Sequence, residues 1–205
     1  MIDENTIIKK SYALYSRYGI KRVSVDDVAF MLGISKKTLY ENIINKNILI
    51  EKVVNKSLEE FSRKVNESQS EDEDIFNNLC QVYATILKEI AKLNPSYVHD
   101  LKKYHGIQYK KVLEFRDNVL FQIVSGYVSR GIETGIFRND LNIRFVFFNQ
   151  ISKISIILLD SAFECSKALS LRETYSLLLN DIRGITTLRG HEIFDKNYES
   201  LSQIL

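Results

Sequence analysis

The side chains best suited to bind anions are concentrated in the first quarter of the chain. Between Met1 and Ile50 the sequence has eight basic and five acidic residues, whereas the net charge of all 205 residues is only +2. Lysine and arginine neutralise phosphate groups, so a basic N-terminal segment followed by a nearly neutral body is suited to binding DNA. The basic residues are Lys9, Lys10, Arg17, Lys21, Arg22, Lys36, Lys37 and Lys46.

The sequence lacks the motifs that mark common active sites. It has no nucleophile motif, no His-Glu-x-x-His, no glycine-rich loop that could cradle a phosphate and no pair of carboxylates in an apolar context. His99 and His105 have no carboxylate or thiol partner at metal-ligand spacing. An enzyme that uses a helical body as its active site is therefore the disfavoured alternative. We expect no catalytic residue, no metal and no cofactor.

Local signals divide the basic segment into short helices. Apolar residues at helical spacing run from Glu4 to Tyr18, and Gly19 follows as a stop. Ser24 can cap a second helix that ends at Gly33, and Ser35 is the natural N-cap of a third. Three short helices with a tight glycine-containing turn between the second and third are typical of a helix-turn-helix unit.

One stretch of this segment resembles the DNA-binding signature of the TetR family of bacterial one-component transcription regulators. It reads Val25-Asp-Asp-Val-Ala-Phe-Met-Leu-Gly-Ile-Ser-Lys-Lys-Thr-Leu-Tyr and is followed by Lys46-Asn-Ile-Leu-Ile. A second phrase, Gly131-Ile-Glu-Thr-Gly-Ile-Phe-Arg-Asn-Asp, is similar to the family's turn into its dimerisation helices. The resemblance implies a homodimer on a palindromic double-stranded DNA operator. It also implies an effector cavity in the C-terminal helices and release of DNA when the effector binds.

The resemblance assigns most of the DNA contacts to the start of the third helix. Lys36 and Lys37 would enter the major groove, while Thr38 and Tyr40 would position the helix through phosphate hydrogen bonds. An isolated Lys-Lys pair is more often a solvated face, and Tyr40 has an alternative role in the core. Four further residues would pack the second helix against the third: Ala29, Leu32, Ile34 and Leu39.

Three further positions complete the predicted DNA interface. Ser24 would hold a phosphate at the edge of the second helix, and Lys46 would offer its ammonium and the N-terminus of the fourth helix. The sequence departs from the family pattern at Glu41-Asn42-Ile43. Ile43 can replace an aromatic core anchor, but Glu41 would repel phosphate unless it accepts a hydrogen bond from a cytosine amino group.

The remainder of the chain is predicted to be helical as well. Eight glycines and one proline in 205 residues favour long helices, so the fold class is all-α. We predict a helix-turn-helix domain over residues 1–47 and an effector-binding and dimerisation domain over residues 48–205. Asn45 would cap a fourth helix, and a polar loop follows at 66–74. Predicted helical segments are Lys46–Val65, Ile75–Leu93, Pro95–Tyr104, Ile107–Thr134, Leu141–Cys165 and Leu171–Leu188, with weak periodicity from Arg189 to Leu205.

Cysteine usage and hydropathy point to the cytoplasm. Cys80 and Cys165 lie alone in apolar helical stretches, which favours reduced core residues over a disulfide or a zinc site. The start of the chain has no secretory leader pattern, and the most apolar segment, Phe145 to Leu159, is interrupted by polar residues. We therefore expect a cytoplasmic protein that does not enter membranes.

The C-terminal segments carry the predicted dimer and effector functions. Leu141–Cys165 and Leu171–Leu188 would form a four-helix bundle across a two-fold axis, because the first segment is apolar on more than one face. The candidate effector-binding residues are Tyr83, Tyr97, Phe115 and Gln122, since a ligand pocket is largely apolar with a few polar groups. The alternative function is a protein-interaction module that has kept the fold with weakened DNA binding.

Overall fold

A computed structural model describes residues 2–70, 74–159 and 169–205 of the chain. Within these ranges the fold is all-α, as the sequence predicts, and the only β-type pairing is an isolated antiparallel bridge between Phe137 and Thr186. No helix in these ranges is both long and apolar enough to cross a membrane. The elements are α1 (Glu4–Tyr18), α2 (Val25–Leu32), α3 (Lys36–Asn42), α4 (Lys46–Glu67), α5 (Ile75–Ala91), α6 (Pro95–Tyr104), α7 (Gly106–Glu114), a π-helical segment (Phe115–Leu120), α8 (Phe121–Glu133), α9 (Ile143–Leu159), α10 (Leu171–Gly184) and α11 (Leu188–Ser202).

The chain forms two compact units. Unit 1 consists of Met1–Ser62 and Lys92–Phe115, and unit 2 consists of Arg63–Ala91 and Arg116–Leu205. The boundary after Ser62 falls inside α4. Unit 1 therefore contains α1 to α3, α6 and α7 together with most of α4. The functional division at residues 47 and 48 stays a prediction.

Short-range capping sets the helix ends in unit 1. The Asp3 carboxylate accepts a hydrogen bond from the Thr6 amide (2.9 Å) and begins α1. Helix α1 ends where the sequence predicts, and α6 matches its predicted bounds, with Pro95 in the first turn after the Asn94 cap. These caps satisfy amide groups that have no partner inside their own helix.

The core of unit 1 joins α1 to α4 with α6. Leu39 of α3 and Val28 of α2 are fully buried, and Ile43 is buried beside them, which confirms its predicted role as a core anchor. Ala29 is buried, and Leu32 and Ile34 pack against the same cluster at partial burial. Other fully buried members of the cluster are Ile7, Tyr15, Leu49 and Val53.

Unit 2 is built around α5, which contacts α8, α9, α10 and α11. Phe76 of α5 meets Phe137 and Phe194 edge to face, with ring centroids 5.5 Å and 5.3 Å away. A glycine permits close packing near these rings, because a Cβ built on Gly190 would lie 2.0 Å from the Ile136 carbonyl oxygen. Cys80 is buried in this core, as predicted.

The helix predicted over Ile107–Thr134 is present as α7, the π-helical segment and α8, which follow one another from Gly106 to Glu133. The helix predicted over Leu171–Leu188 is wrong at its C-terminal bound, because α10 ends at Gly184. The break follows from a tertiary contact, since the Thr187 amide donates to the Ile136 carbonyl (2.9 Å) and the Arg138 amide donates to the Ile185 carbonyl (3.0 Å). Residues in the weakly periodic stretch from Arg189 onward, for which the sequence leaves a short final helix or a frayed tail open, form α11 (Leu188–Ser202). Helix α9 is described from Ile143 to Leu159, and the predicted continuation through Cys165 lies outside the described residues.

Candidate nucleic-acid interface

The turn between α2 and α3 fixes the direction in which α3 leaves the core. Gly33 adopts a left-handed conformation (φ 66°), and its amide donates to the Phe30 carbonyl (3.0 Å) while the Ile34 amide donates to the Ala29 carbonyl (3.1 Å). Ser35 then caps α3 by accepting from the Thr38 amide (3.0 Å). Leu39 is buried in the core, whereas Lys36 and Lys37 at the start of α3 are exposed to solvent.

The two lysines of α3 differ in their partners. Lys36 is exposed, and its ammonium lies 2.9 Å from a carboxylate oxygen of Asp26 in α2. This hydrogen bond and charge raise the pKa of Lys36. Lys37 is exposed and makes no ion pair with any residue that the structure describes. Lys37 is therefore the freer of the two cations to meet a phosphate.

The remaining candidate residues of α3 differ in how far they are exposed to solvent. Tyr40 is 42% exposed, so the structure does not place it in the core. The Thr38 hydroxyl lies 2.9 Å from the Ser35 hydroxyl, and Asn42 donates to the Thr38 carbonyl (2.8 Å). Glu41 is exposed to solvent. The helix thus presents cationic, phenolic and anionic groups together.

Ser24 is engaged in a reciprocal cap at the start of α2. Its hydroxyl accepts from the Asp27 amide (3.1 Å) and donates to the Asp27 carboxylate (2.6 Å), which also accepts from the Ser24 amide (2.7 Å). These hydrogen bonds from Ser24 lower the pKa of Asp27. Both residues are exposed, but the Ser24 hydroxyl and amide already donate to the Asp27 carboxylate, so a phosphate at Ser24 would have to replace these bonds.

The side chain of Lys46 points into unit 1. Its ammonium donates to the Ile20 carbonyl (2.8 Å) and the Val23 carbonyl (2.5 Å), both in the α1–α2 connection. It also lies 5.9 Å from the centroid of the Tyr15 ring. A phosphate contact of the Lys46 ammonium, as predicted, would therefore compete with these internal partners. The N-terminus of α4 lies at Lys46, as predicted.

Comparison with solved structures identifies this arrangement of helices. Residues covering 98% of the chain match 99% of a TetR-family regulator from Marinobacter aquaeolei VT8 with a TM-score of 0.74 and 16% identity. A putative TetR-family regulator from Rhodococcus sp. matches over 89% of this chain and 98% of its own, with a TM-score of 0.72 and 15% identity. The chain has the TetR-family fold.

Sequence comparisons are sparser than structural ones for this TetR-family fold. No family model matches the chain. An uncharacterized HTH-type transcriptional regulator, YvaF of Bacillus subtilis (strain 168), is 27% identical over 105 residues. The aligned part spans 50% of this chain and 54% of that relative. The superantigen pfit also has this fold, with a TM-score of 0.64, 16% identity and coverage of 88% of this chain and 87% of its own.

The candidate effector residues are divided between the two units of the TetR-family fold. Tyr97 is buried in unit 1, and Phe115, also in unit 1, packs against Phe61 with the rings tilted by 45° and their centroids 5.3 Å apart. Tyr83 and Gln122 belong to unit 2, where Tyr83 is buried and Gln122 is exposed. The four residues therefore do not line one pocket within either unit. Of these four residues, Tyr83 is the one with a buried hydroxyl that has no hydrogen-bond partner among the described residues.

Two carboxylates near the candidate interface were not singled out from the sequence. Asp26 pairs with Lys36, and the pair joins the first turn of α2 to the first turn of α3. Asp100 of α6 accepts from the Lys21 amide (2.7 Å) across 79 positions of sequence. Asp26 and Lys36 both lie in the helix-turn-helix stretch, ten residues apart, so the motif itself brings them near each other. No local pattern points to Asp100.

Proposed function

We propose that this protein is a ligand-responsive transcriptional repressor that binds a palindromic operator as a homodimer and leaves it when a small-molecule effector binds. The presentation of α3 carries the proposal. Lys36, Lys37, Thr38 and Tyr40 lie on a short capped helix whose other face is anchored by the buried Leu39. A helix held in this way can enter the major groove, and its basic residues can neutralise phosphates beside it.

The remaining contacts flank α3 in this proposal. Ser24 and the N-terminus of α4 at Lys46 bind the DNA backbone on either side of the groove, as helix N-termini favour anions. Glu41 reads a cytosine amino group, the one partner for which its charge is an advantage. Backbone contacts set the register, and base contacts select the sequence.

A salt titration of DNA binding tests the role of α3. Fluorescence anisotropy would follow binding of the purified protein to the promoter DNA adjoining its own gene between 50 and 200 mM salt. Each phosphate contact contributes about 0.9 to the slope of log affinity against log salt, so Lys37→Ala should weaken binding and lower that slope by about 1. The matched control is Lys110→Ala, which removes an exposed lysine paired with Glu114 on α7. Unchanged affinity and slope in Lys37→Ala would show that α3 is not placed in the groove.

Exposed apolar side chains on the described parts of α9 and α10 support the homodimer. Helix α9 buries Phe147 and Ile154 against its own unit but leaves Phe145 71% and Ile156 44% exposed, while Leu177 of α10 is 39% exposed. Apolar side chains at this spacing form a stripe that a second copy can cover. The two-fold would set the two α3 helices about 34 to 36 Å apart, one turn of duplex.

The structure selects the substitution that tests the dimer. Ile154 is fully buried in its own subunit, so an aspartate there would unfold the protein, and Ile156→Asp is the informative change. Ile156→Asp should give a folded monomer with sharply weaker operator binding, measured by sedimentation and anisotropy. A wild-type protein that is monomeric at micromolar concentration would exclude the two-fold.

Effector release follows from linkage if the ligand favours the state that binds DNA less well. Among the described residues of unit 2, the buried Tyr83 hydroxyl and the buried Gln150 side-chain oxygen have no hydrogen-bond partner, and a bound molecule could satisfy the candidate Tyr83. A matching small molecule should raise the melting temperature and weaken operator binding together. A ligand that stabilises the protein and leaves operator affinity unchanged would contradict the coupling.

A protein-interaction module is the second candidate, and exposed Glu41 on α3 is the observation that favours it. A negative charge there opposes a nonspecific approach to phosphate. Absence of salt-sensitive binding to the adjoining promoter, with an intact dimer, would favour this function over the repressor.

A further inference from the structure

The connection between α1 and α2, residues 19–24, is clamped by two side chains from distant elements of unit 1. From one side, the Lys46 ammonium donates to the Ile20 and Val23 carbonyls at 2.8 Å and 2.5 Å. Carbonyls in a short connection have no helical partners, so a charged donor that bridges two of them fixes the connection in one conformation. Lys46 is the first residue of α4, which makes α4 the anchor for this side of the clamp.

Asp100 of α6 closes the clamp from the other side. The Asp100 side chain is buried, and its carboxylate oxygen accepts from the Lys21 amide at 2.7 Å. Gly19 permits this approach, because a Cβ there would lie 3.2 Å from the same carboxylate oxygen and 3.0 Å from the Ser96 Cβ. The Asn94 amide adds a bond to the Ser16 carbonyl (2.7 Å), so the start of α6 is tied to the end of α1 as well.

The charges around Lys46 suit an internal role. Burial lowers the pKa of Lys46, and the carboxylates of Asp100 and Asp27 act in the opposite direction. The ammonium is half-buried in unit 1, where two carbonyls accept its hydrogen bonds and two carboxylates favour its charge. A phosphate that took this ammonium would leave both carbonyls without their donor, which is costly for polar groups shielded from water.

We propose that Lys46 and Asp100 are positioning residues that hold the α1–α2 connection, and with it α2 and α3, in the conformation that binds DNA, and that the Lys46 ammonium does not contact phosphate. This inference rests on the proposed function for its DNA readouts. Val23 and Ser24 lead directly into α2, so freeing the connection lets α2 and α3 sample other orientations. Only the competent fraction binds, and the apparent affinity falls in proportion to that fraction.

The salt slope separates positioning from phosphate contact. Lys46→Met keeps the aliphatic length and removes the charge, and it should weaken operator binding about tenfold while leaving the salt slope unchanged. The matched control is Lys56→Met, which makes the same change farther along α4 at a lysine paired with Glu59. That variant should leave both quantities unchanged. A slope lowered by about 1 in Lys46→Met would overturn the proposal, because it would mean that a phosphate contact had been lost.

Variants of Asp100 test the other half of the clamp. Asp100→Ala removes the acceptor for the Lys21 amide and should weaken operator binding at unchanged salt slope. Asp100→Asn keeps an acceptor oxygen at the same position and should recover most of that affinity. In a double-mutant cycle, the losses from Lys46→Met and Asp100→Ala should be less than additive, since either change frees the same connection. Full additivity, or no rescue by asparagine, would contradict a shared clamp.

Amide hydrogen exchange in the absence of DNA keeps the test independent of the proposed function. The Lys21 amide should exchange slowly in the wild-type protein, much faster in Asp100→Ala, and at an intermediate rate in Lys46→Met. Equal exchange rates of the Lys21 amide in the wild type and in Asp100→Ala would refute the clamp. This comparison does not depend on whether Lys46→Met folds. If the wild type shows this exchange pattern but no salt-sensitive DNA binding, the proposed function fails while the clamp stands.

Discussion

The α2–α3 turn and the α9–α10 pair are both built from two helices, but their sequences specify them in different ways. In the turn, Ser24 and Gly33 set the two ends of α2 and Ser35 sets the start of α3, each through contacts within three or four residues. In the pair, the end of α10 depends on hydrogen bonds to residues 136 and 138, about fifty positions earlier. The first region can therefore be specified locally, whereas the second requires the rest of unit 2.

Neighbouring phenylalanines on α9 provide the largest expected contrast within unit 2. Phe147 is fully buried and meets Phe121 at 5.5 Å, whereas Phe145 is 71% exposed. Phe147→Ala should lower the free energy of unfolding by about 3–5 kcal/mol, because it removes a buried ring and leaves a cavity. Phe145→Ala should change that free energy little and should instead raise the dissociation constant of the homodimer.

Chemical denaturation followed by circular dichroism would measure the first effect, and analytical ultracentrifugation would measure the second. Both variants should be compared at the same protein concentration, because the stability of a dimer depends on that concentration. Equal destabilisation by both substitutions would mean that the two faces of α9 are not distinct.

Local signals account for what the sequence predicted well. The bounds of α1 and α6 follow from a cap at one end and a stop or proline at the other, and Ile43 and Leu39 occupy core positions set by helical spacing. The sequence could not decide which face of α9 is buried, because the segment is apolar on more than one face. Packing against α5 and α8 decides which side is buried.

A glycine in the α2–α3 turn and a glycine in α11 of unit 2 should respond differently to a methyl group. Gly33 has open space around its Cβ position but a positive φ of 66°, so Gly33→Ala should destabilise the protein by about 1 kcal/mol through backbone strain alone. A Cβ at Gly190 would lie 2.0 Å from a backbone oxygen, and Gly190→Ala should cost about 3 kcal/mol through overpacking.

Thermal and chemical unfolding of both alanine variants would measure this difference. Gly33→Asn serves as the control for strain, because asparagine tolerates the left-handed region better than alanine and should recover part of the loss. A smaller penalty at Gly190 than at Gly33 would show that close packing between α11 and residue 136 is not a constraint on unit 2.

The candidate interface shows the same limit of local reasoning. The motif allows the exposure of Lys36, Lys37 and Tyr40 to be predicted. A capped helix that buries one face exposes its remaining faces to solvent. The partners of Lys46 and the part played by Asp100 depend on how α6 packs beside the α1–α2 connection. That packing joins positions 79 residues apart, and no periodicity or cap encodes it.

The two regions share one device, and its pH dependence should be alike in both. Ser24 with Asp27 begins α2, and Ser170 with Glu173 begins α10 through the same reciprocal bonds. Hydrogen bonds from the serine lower the pKa of the carboxyl group in each pair. A carboxylate with a lowered pKa in the folded state stabilises the helix at pH values above its unfolded pKa, and this contribution is lost as the pH falls through the folded pKa.

Carboxyl carbon chemical shifts measured by NMR between pH 6 and pH 2 would follow both groups. The Asp27 and Glu173 carboxyls should titrate below the ordinary values for their residue types, and Ser24→Ala and Ser170→Ala should each raise only the pKa of their own partner. Because the cap is local, these shifts should be similar in the two regions despite their different packing. An Asp27 pKa that rises in Ser170→Ala would show that the caps are coupled through the fold and are not set by neighbouring residues alone.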